Sequence, residues 1–325
     1  MEAASGERLV IRTGGLDLAR EGTGGHEILS AYHRSLDAAA IAYDVLDVAQ
    51  LRAGWPQWNV PNDTVALHQA DAGLVDIRRA TAAHTRLARQ HGVDVLSDCT
   101  VLGIDSTAGG VRVKTGRGEF SAGSLVVCAG SWLGGLLDKL GDPFRIELTQ
   151  EQVQYFHCTD PDAFTPDRFP VWIWHGDSDF YGLPVYGERA VKVARDMTGR
   201  FVTSQTRSFD ADPAETELVR SFLRLRLPAW AGPTALAKTC VYDLPRDREL
   251  VIGDLPGHPR VFVAVGAGHA GKFAALIGRV LADLVLDGRT PFPIDAFRAD
   301  RPSLRADAPA LYRLGTGSDH SVGPL

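Results

Sequence analysis

Apolar positions along the chain recur with two periods, and the switch between them divides it. From His26 to Ala40 the apolar residues Ile28, Leu29, Tyr32 and Leu36 fall at helical spacing, followed by a strand-like Tyr43–Asp47 and a short helical piece that ends at Trp55-Pro56. Residues 77–90 read as another helix, closed by His91-Gly92. Strand patterns follow at 93–96, 99–104, 111–115, 119–120 and 125–129, separated by Gly109-Gly110 and Gly116-Arg-Gly118. Beyond Pro143 the pattern becomes that of a mostly antiparallel sheet, with aromatic and β-branched strands expected at 147–157, 170–175, 179–185 and 190–195. A helix is expected over 215–227, strands at 234–242 and 249–253, and a return to the first pattern near Phe262. The expected division is a first domain of residues 1–143 and 246–325, a second of residues 144–245, and a disordered tail after Leu314.

With 325 residues, 45% hydrophobic and 23% charged, the chain can bury a sizeable core without staples. A net charge of -6 gives no basic footprint, so nucleic acid and anionic membrane surfaces are poor partners and small-molecule chemistry is favoured. Cys99, Cys128, Cys158 and Cys240 show no C-x-x-C spacing and follow no signal peptide, which points to reduced thiols in the cytoplasm. Apolar runs are of strand length, far short of the roughly 20 residues that span a bilayer. Metal-binding histidine spacings, a G-x-S-x-G elbow and a Walker-type loop are all missing, so no metal site is expected.

The candidate chemistry begins in V-F-V-A-V-G-A-G-H-A-G-K-F at 261–273, which reads as a strand, a glycine-rich turn and the start of a helix. Such a turn offers backbone N–H groups and the positive end of a helix to an electron-rich ligand. Near Met1, however, no strand, G-x-G-x-x-G turn and helix supply the other half of a dinucleotide site. Five ordered motifs then carry a resemblance: R-T-G-G-L at 12–16, L-V-V-C-A-G-S-W at 125–132, F-Y-G-L-P at 180–184, K-T-C-V-Y at 238–242 and G-A-G-H-A-G-K-F at 266–273. The chain resembles the FAD-dependent amine oxidases of the monomeric sarcosine oxidase and N-methyltryptophan oxidase type, in the D-amino-acid oxidase superfamily. The resemblance covers roughly residues 7–304.

It implies an α/β (α+β) fold, in which an FAD-binding Rossmann-like domain without its first βαβ unit joins a mostly antiparallel substrate domain. Either a misplaced start or fragmentary gene, which we favour, or a natural short form would account for that departure. It further implies covalent FAD attachment at Cys240, whose thiolate needs a nearby cation such as Lys238; the competing reading is an ordinary buried cysteine. Lys192 takes the place of a lysine that assists oxygen, against the alternative of a solvent-facing strand lysine. Lys272 is implied to bind the substrate carboxylate and His269 to lie near the flavin, in a turn shared with Gly266, Gly268 and Gly271. Tyr181 and Tyr242 are substrate-pocket candidates that could equally be core aromatics. Val101, Gly130, Ser131 and Trp132 are secondary clamps on the cofactor's adenosine half.

One position departs: Asp196 stands where a histidine is expected, and its carboxylate would repel a substrate carboxylate or attract a second amine. The expectation is therefore oxidation of the C–N bond of a small amine or amino acid, with O2 as acceptor and an imine and H2O2 as products. The alternatives are a non-catalytic binding or assembly subunit without flavin, and an FAD-dependent dehydrogenase that uses another acceptor. Neither the particular amine nor the oligomeric state is legible.

Overall fold

The structure is a computed structural model and describes residues 1–310 apart from 142, 306 and 309; the tail expected after Leu314 lies outside these. Its largest layer is a nine-stranded sheet organised around Ile146–Phe156. Thr234–Pro245 runs antiparallel along one edge of that strand for its whole length, while Arg200–Val202 and Val191–Arg195 share the other edge. The sheet continues through Phe180–Leu183, Val171–Trp174, Gly15–Arg20, Thr64–Gln69 and Asp44–Leu46. All neighbours are antiparallel except Val171–Trp174 beside Gly15–Arg20.

Because side chains alternate across a pleat, register decides which residues share a face. Leu16, Leu18, Trp172, Trp174, Phe180, Val191, Val193 and Phe156 turn to one side. There they form the main core with Val219, Leu223, Leu227 and Trp230 from the helix Pro213–Arg226 and the turn after it. Asp212 caps that helix by accepting from the Ala214 amide, and Pro213 occupies its first turn, where its missing N–H leaves no bond unmade. The opposite face is polar, and the candidate chemistry lies on it.

A smaller sheet joins Leu125–Val127, Val261–Val265 and Val251–Asp254, the first two in parallel. The meander Val101–Thr107, Gly110–Thr115 and Gly118–Ala122 and the helix Leu133–Leu137 close a second core against it. The helix Ala274–Asp287 packs on its other side through Val280, Leu281 and Leu284. Among the described residues, no helix is long and apolar enough to cross a membrane.

Most expected elements are present within a residue or two, including the helix at Ile77–Gln90. Two differences matter. Residues 93–96 form no strand, and Val93 and Leu96 are about half exposed (52% and 50%), since no neighbouring strand offers an edge to satisfy their backbone. Conversely, Gly15–Arg20 and Thr64–Gln69 are strands that the pattern did not reveal. Asp17 interrupts the apolar run of the first, and its register with Ile173 places that carboxylate on the polar face. These strands and Asp44–Leu46 carry the large sheet across the expected division at residue 143. Leu16, Leu18, Leu46 and Ala66 of these strands pack into the Trp172–Trp230 core.

Leu223 is completely buried beneath the sheet. Leu223→Ala should destabilise the protein by about 2–5 kcal/mol through lost transfer energy and the cavity left behind, read as a lower urea midpoint at unchanged slope.

Candidate active site

Cross-strand register assembles the polar face. Asp17 pairs with Ile173, Ile173 with Tyr181, and Tyr181 with Ala194, which lies between Lys192 and Asp196 on the same face of its strand. Lys192 pairs with Tyr155, two pleats from Glu151; Glu151 faces Cys240, and Thr149 faces Tyr242. Residues as far apart in sequence as Asp17 and Tyr242 thus line one surface.

The Lys192 ammonium sits 5.9 Å from the centre of the Tyr181 ring. Burial pushes its pKa down, and the neighbouring Cys240 sulfur pulls the other way. No carboxylate pairs with it among the described residues. The Cys240 thiol is itself pushed up, first by burial and then by the buried Glu151 carboxylate, against the opposing pull of Lys192 and Arg207. Lys192 and Arg207, rather than the exposed Lys238, are therefore the cations that act on this sulfur. Glu151 is held by the Thr149 hydroxyl at 2.7 Å and by the amides of Thr198 and Gly199 at 3.1 and 2.9 Å. Burial still raises its pKa.

The glycine-rich turn closes over the end of this row. Gly268 has φ of 78°, and a Cβ there would fall 2.3 Å from Tyr242 Cγ, so only glycine lets the turn approach the ring. Asp243, which sequence reasoning passed over, accepts from the Gly268 amide at 2.9 Å and the Gly266 amide at 3.4 Å. The amides of His269 and Ala270 donate to the Gly266 carbonyl. These four N–H groups are thus engaged inside the protein. The His269 Nδ1–H donates to the Ala267 carbonyl at 2.8 Å, which fixes the tautomer and leaves Nε2 as an acceptor. Burial lowers the His269 pKa. Lys272 lies in a short 3-10 turn, Ala270–Phe273, ahead of the helix, with Nζ on the His269 carbonyl at 3.1 Å.

Tyr181, Asp196 and His269 line one cavity of about 630 Å³ together with Tyr32, Ile173, His175, Asp179, Asp247, Arg248 and Glu249. The Tyr242 hydroxyl lies beside that of Tyr181 and donates to Asp196 at 3.4 Å. Asp196 also accepts from Arg248 at 2.5 Å. His175 is almost fully buried and bridges Asp17 at 2.9 Å and Asp179 at 3.3 Å. Burial opposes its charged form, but the two carboxylates outweigh that and raise its pKa to about 9. Neither His175 nor Arg248 carried a sequence signal, because the partners that give them meaning are distant in the chain.

The secondary clamps lie apart from this cavity. Gly130, with φ of 50°, opens the turn against which the strand Thr234–Pro245 rests. Ser131 and the exposed Trp132 line a separate cavity of about 550 Å³ with Arg145, Glu147, Phe201 and Thr203. Val101 packs into the second core and lines neither cavity.

A mixed α/β scaffold thus carries a thiol, a lysine and two tyrosines on one face of its largest sheet. The chain belongs to the FAD dependent oxidoreductase (DAO) family, whose pattern it matches over residues 1–284. It is similar to a monomeric sarcosine oxidase of Streptomyces avermitilis, at 32% identity over 323 residues, covering 95% of this chain and 80% of that protein. An N-methyl-L-tryptophan oxidase of Salmonella arizonae is 29% identical over 307 residues, covering 93% and 80%. Among solved structures, the open form of NikD, an unusual amino acid oxidase essential for nikkomycin biosynthesis, matches with a TM-score of 0.78 at 25% identity, covering 91% of this chain and 79% of that one.

The His175 cluster sets a pH dependence. A histidine pKa raised in the folded state stabilises the fold fully below the unfolded value near 6.5, and that contribution is lost as pH rises through about 9. Melting temperatures should therefore fall between these values, and His175→Gln should flatten that part of the profile.

Proposed function

We propose that this protein oxidises the C–N bond of a small amine or amino acid, with FAD held covalently through Cys240 and O2 as the final acceptor. Overall, an amine and O2 become an imine and H2O2: the carbon and the nitrogen each lose one hydrogen as the single bond between them becomes double, so that two electrons and two protons leave the amine and reach oxygen. FAD when bound supplies the two-electron redox chemistry. The residues present fit that group: the Cys240 thiol and the Lys192 ammonium share one face of the large sheet, and Tyr181 on that face lines a cavity with His269.

The single observation that carries the reading is Lys192. A half-buried ammonium without a carboxylate partner is costly unless an electron-rich group faces it, and here it stands beside the one thiol that shares its surface. Its charge would favour electron transfer to oxygen, and this supports an oxidase over a dehydrogenase that feeds another carrier. Tyr181 and Tyr242 orient the substrate, while Lys272 draws its carboxylate. His269 Nε2 is placed to accept a proton from the substrate ammonium, the form that must lose a proton before the C–N bond is oxidised. We assign the amine side to the nine-stranded sheet and the cofactor side to the smaller sheets that carry Gly130–Trp132 and the glycine-rich turn. The four free thiols support a reducing, cytoplasmic location.

The protein purified with FAD should be yellow, and acid precipitation should leave the colour in the pellet for native protein and in the supernatant for Cys240→Ser. Colour released from both would end the covalent assignment. Lys192→Met should slow reoxidation of the reduced protein by O2 about 100-fold, the order of effect expected for losing one preorganised charge. Unchanged reoxidation, measured by stopped-flow absorbance, would favour the carrier-linked dehydrogenase.

A further inference from the structure

The turn between Thr234–Pro245 and Val251–Asp254 contributes Asp247, Arg248 and Glu249 to the cavity wall, and it is held from 54 residues beyond Asp247. Arg248 has φ of 59°, a left-handed conformation that a non-glycine residue keeps when its surroundings impose it. Within the turn, the Arg248 amide donates to the Pro245 carbonyl at 2.9 Å and the Glu249 amide to the Asp247 carboxylate at 3.1 Å. Arg301 supplies the outer grip. Its Nε and Nη2 meet the two Asp247 oxygens at 2.6 and 2.8 Å, and Nη2 also reaches the Glu249 carbonyl at 3.3 Å. The Ser303 hydroxyl donates to the same carboxylate. The Arg301 and Asp247 side chains are 10% and 7% exposed, so this two-point contact is shielded from water and strong for that reason. Burial would raise the Asp247 pKa, but Arg301, Ser303 and the Glu249 amide outweigh it and hold the carboxyl down.

Arg301 is itself anchored. Ala299 and Leu304, on either side of it, are buried in the second core with Leu133, Leu137 and Val263, and the Leu304 amide donates to the Arg301 carbonyl at 3.1 Å. From the clamped turn a line of polar contacts runs inward. Arg248 donates to Asp196 at 2.5 Å, Asp196 accepts from the Tyr242 hydroxyl at 3.4 Å, and that hydroxyl shares a hydrogen bond with Tyr181. The Asp196 backbone is fixed separately, by its amide on the Asp179 carbonyl at 2.9 Å. What Arg248 governs is therefore the rotamer of the Asp196 carboxylate, and with it the direction of the tyrosine hydroxyls.

We propose that Arg301 is a positioning residue of the substrate pocket: by clamping Asp247 it aims Arg248 at Asp196 and so sets the Tyr242 and Tyr181 hydroxyls. The proposal rests on the amine-oxidation reading for what those hydroxyls do. It gives the segment at 298–305 a part in substrate fit, although neither Arg301 nor Ser303 lines the cavity. A clamp that merely stabilised the fold would loosen every region when cut, whereas an aiming clamp disturbs one line of groups.

The test is fluorine NMR of the FAD-loaded protein carrying fluorotyrosine, with two signals assigned through Tyr181→Phe and Tyr242→Phe. Arg301→Met should move both signals by more than their linewidth. The signals of Tyr43 and Tyr186, whose hydroxyls bond Asp37 and Asp76 elsewhere, should stay in place. Arg301→Lys, which keeps the charge but loses the two-point contact, should give a smaller shift in the same direction. In an Asp196→Ala background, Arg301→Met should add no shift, because the line is already cut further in. Arg248→Met should move the same two signals, and it keeps the test open if Arg301→Met fails to fold. Unmoved Tyr181 and Tyr242 signals, equal movement of Tyr43 and Tyr186, or a full shift that persists in Asp196→Ala would overturn the proposal. These signals need no substrate, so a flavin that amines fail to bleach would count against the oxidation reading and leave the positioning result standing.

Discussion

The rest of the structure depends on the pairing of Ile146–Phe156 with a strand on each edge. That register sets Glu151 against Cys240 and Tyr155 against Lys192, and through Ala194 it brings Tyr181 to the same side. A slip of one residue would turn every one of these side chains into the Trp172–Trp230 core and expose the core residues in their place. The apolar side thus enforces the polar side. Burial of Phe156, Val191 and Val193 beneath the helix Pro213–Arg226 is what keeps Lys192 and Cys240 on one face, on the two strands that flank Ile146–Phe156.

Charge on the polar face follows a consistent arrangement. Four carboxylates on it are engaged: Asp17 and Asp179 by His175, Asp196 by Arg248, Glu151 by two amides and a hydroxyl. Lys192 and one edge of the Arg248 guanidinium are left without such partners. An interior that satisfies its anions and leaves cations unsatisfied is prepared for electron-rich guests.

Much of this was legible early. The helices, the four aromatic strands between 146 and 195 and the glycine-rich turn follow from apolar spacing and from glycine and proline punctuation. Motif order singled out Lys192, Tyr181, Cys240 and Tyr242, which strand register sets on one face, and His269, which lines a cavity with Tyr181. Gly15–Arg20 and Thr64–Gln69 escaped because they are polar on one side and take their meaning from a sheet built mainly by residues beyond 146. Val93–Leu96 misled for the opposite reason, since apolar alternation becomes a strand only where a partner edge exists.

What the chain alone determined, then, is the identity and order of its chemical groups and the local periods that make helices and strands, because both depend on near neighbours. Tertiary structure decided which cation serves which anion. Lys192 rather than Lys238 acts on Cys240, Asp243 takes the turn amides, and Arg248 finds Asp196 from 52 residues away. Coulomb and hydrogen-bond energies depend on distance in space and on exclusion of water. Both are fixed only when the pleated sheet closes on its core.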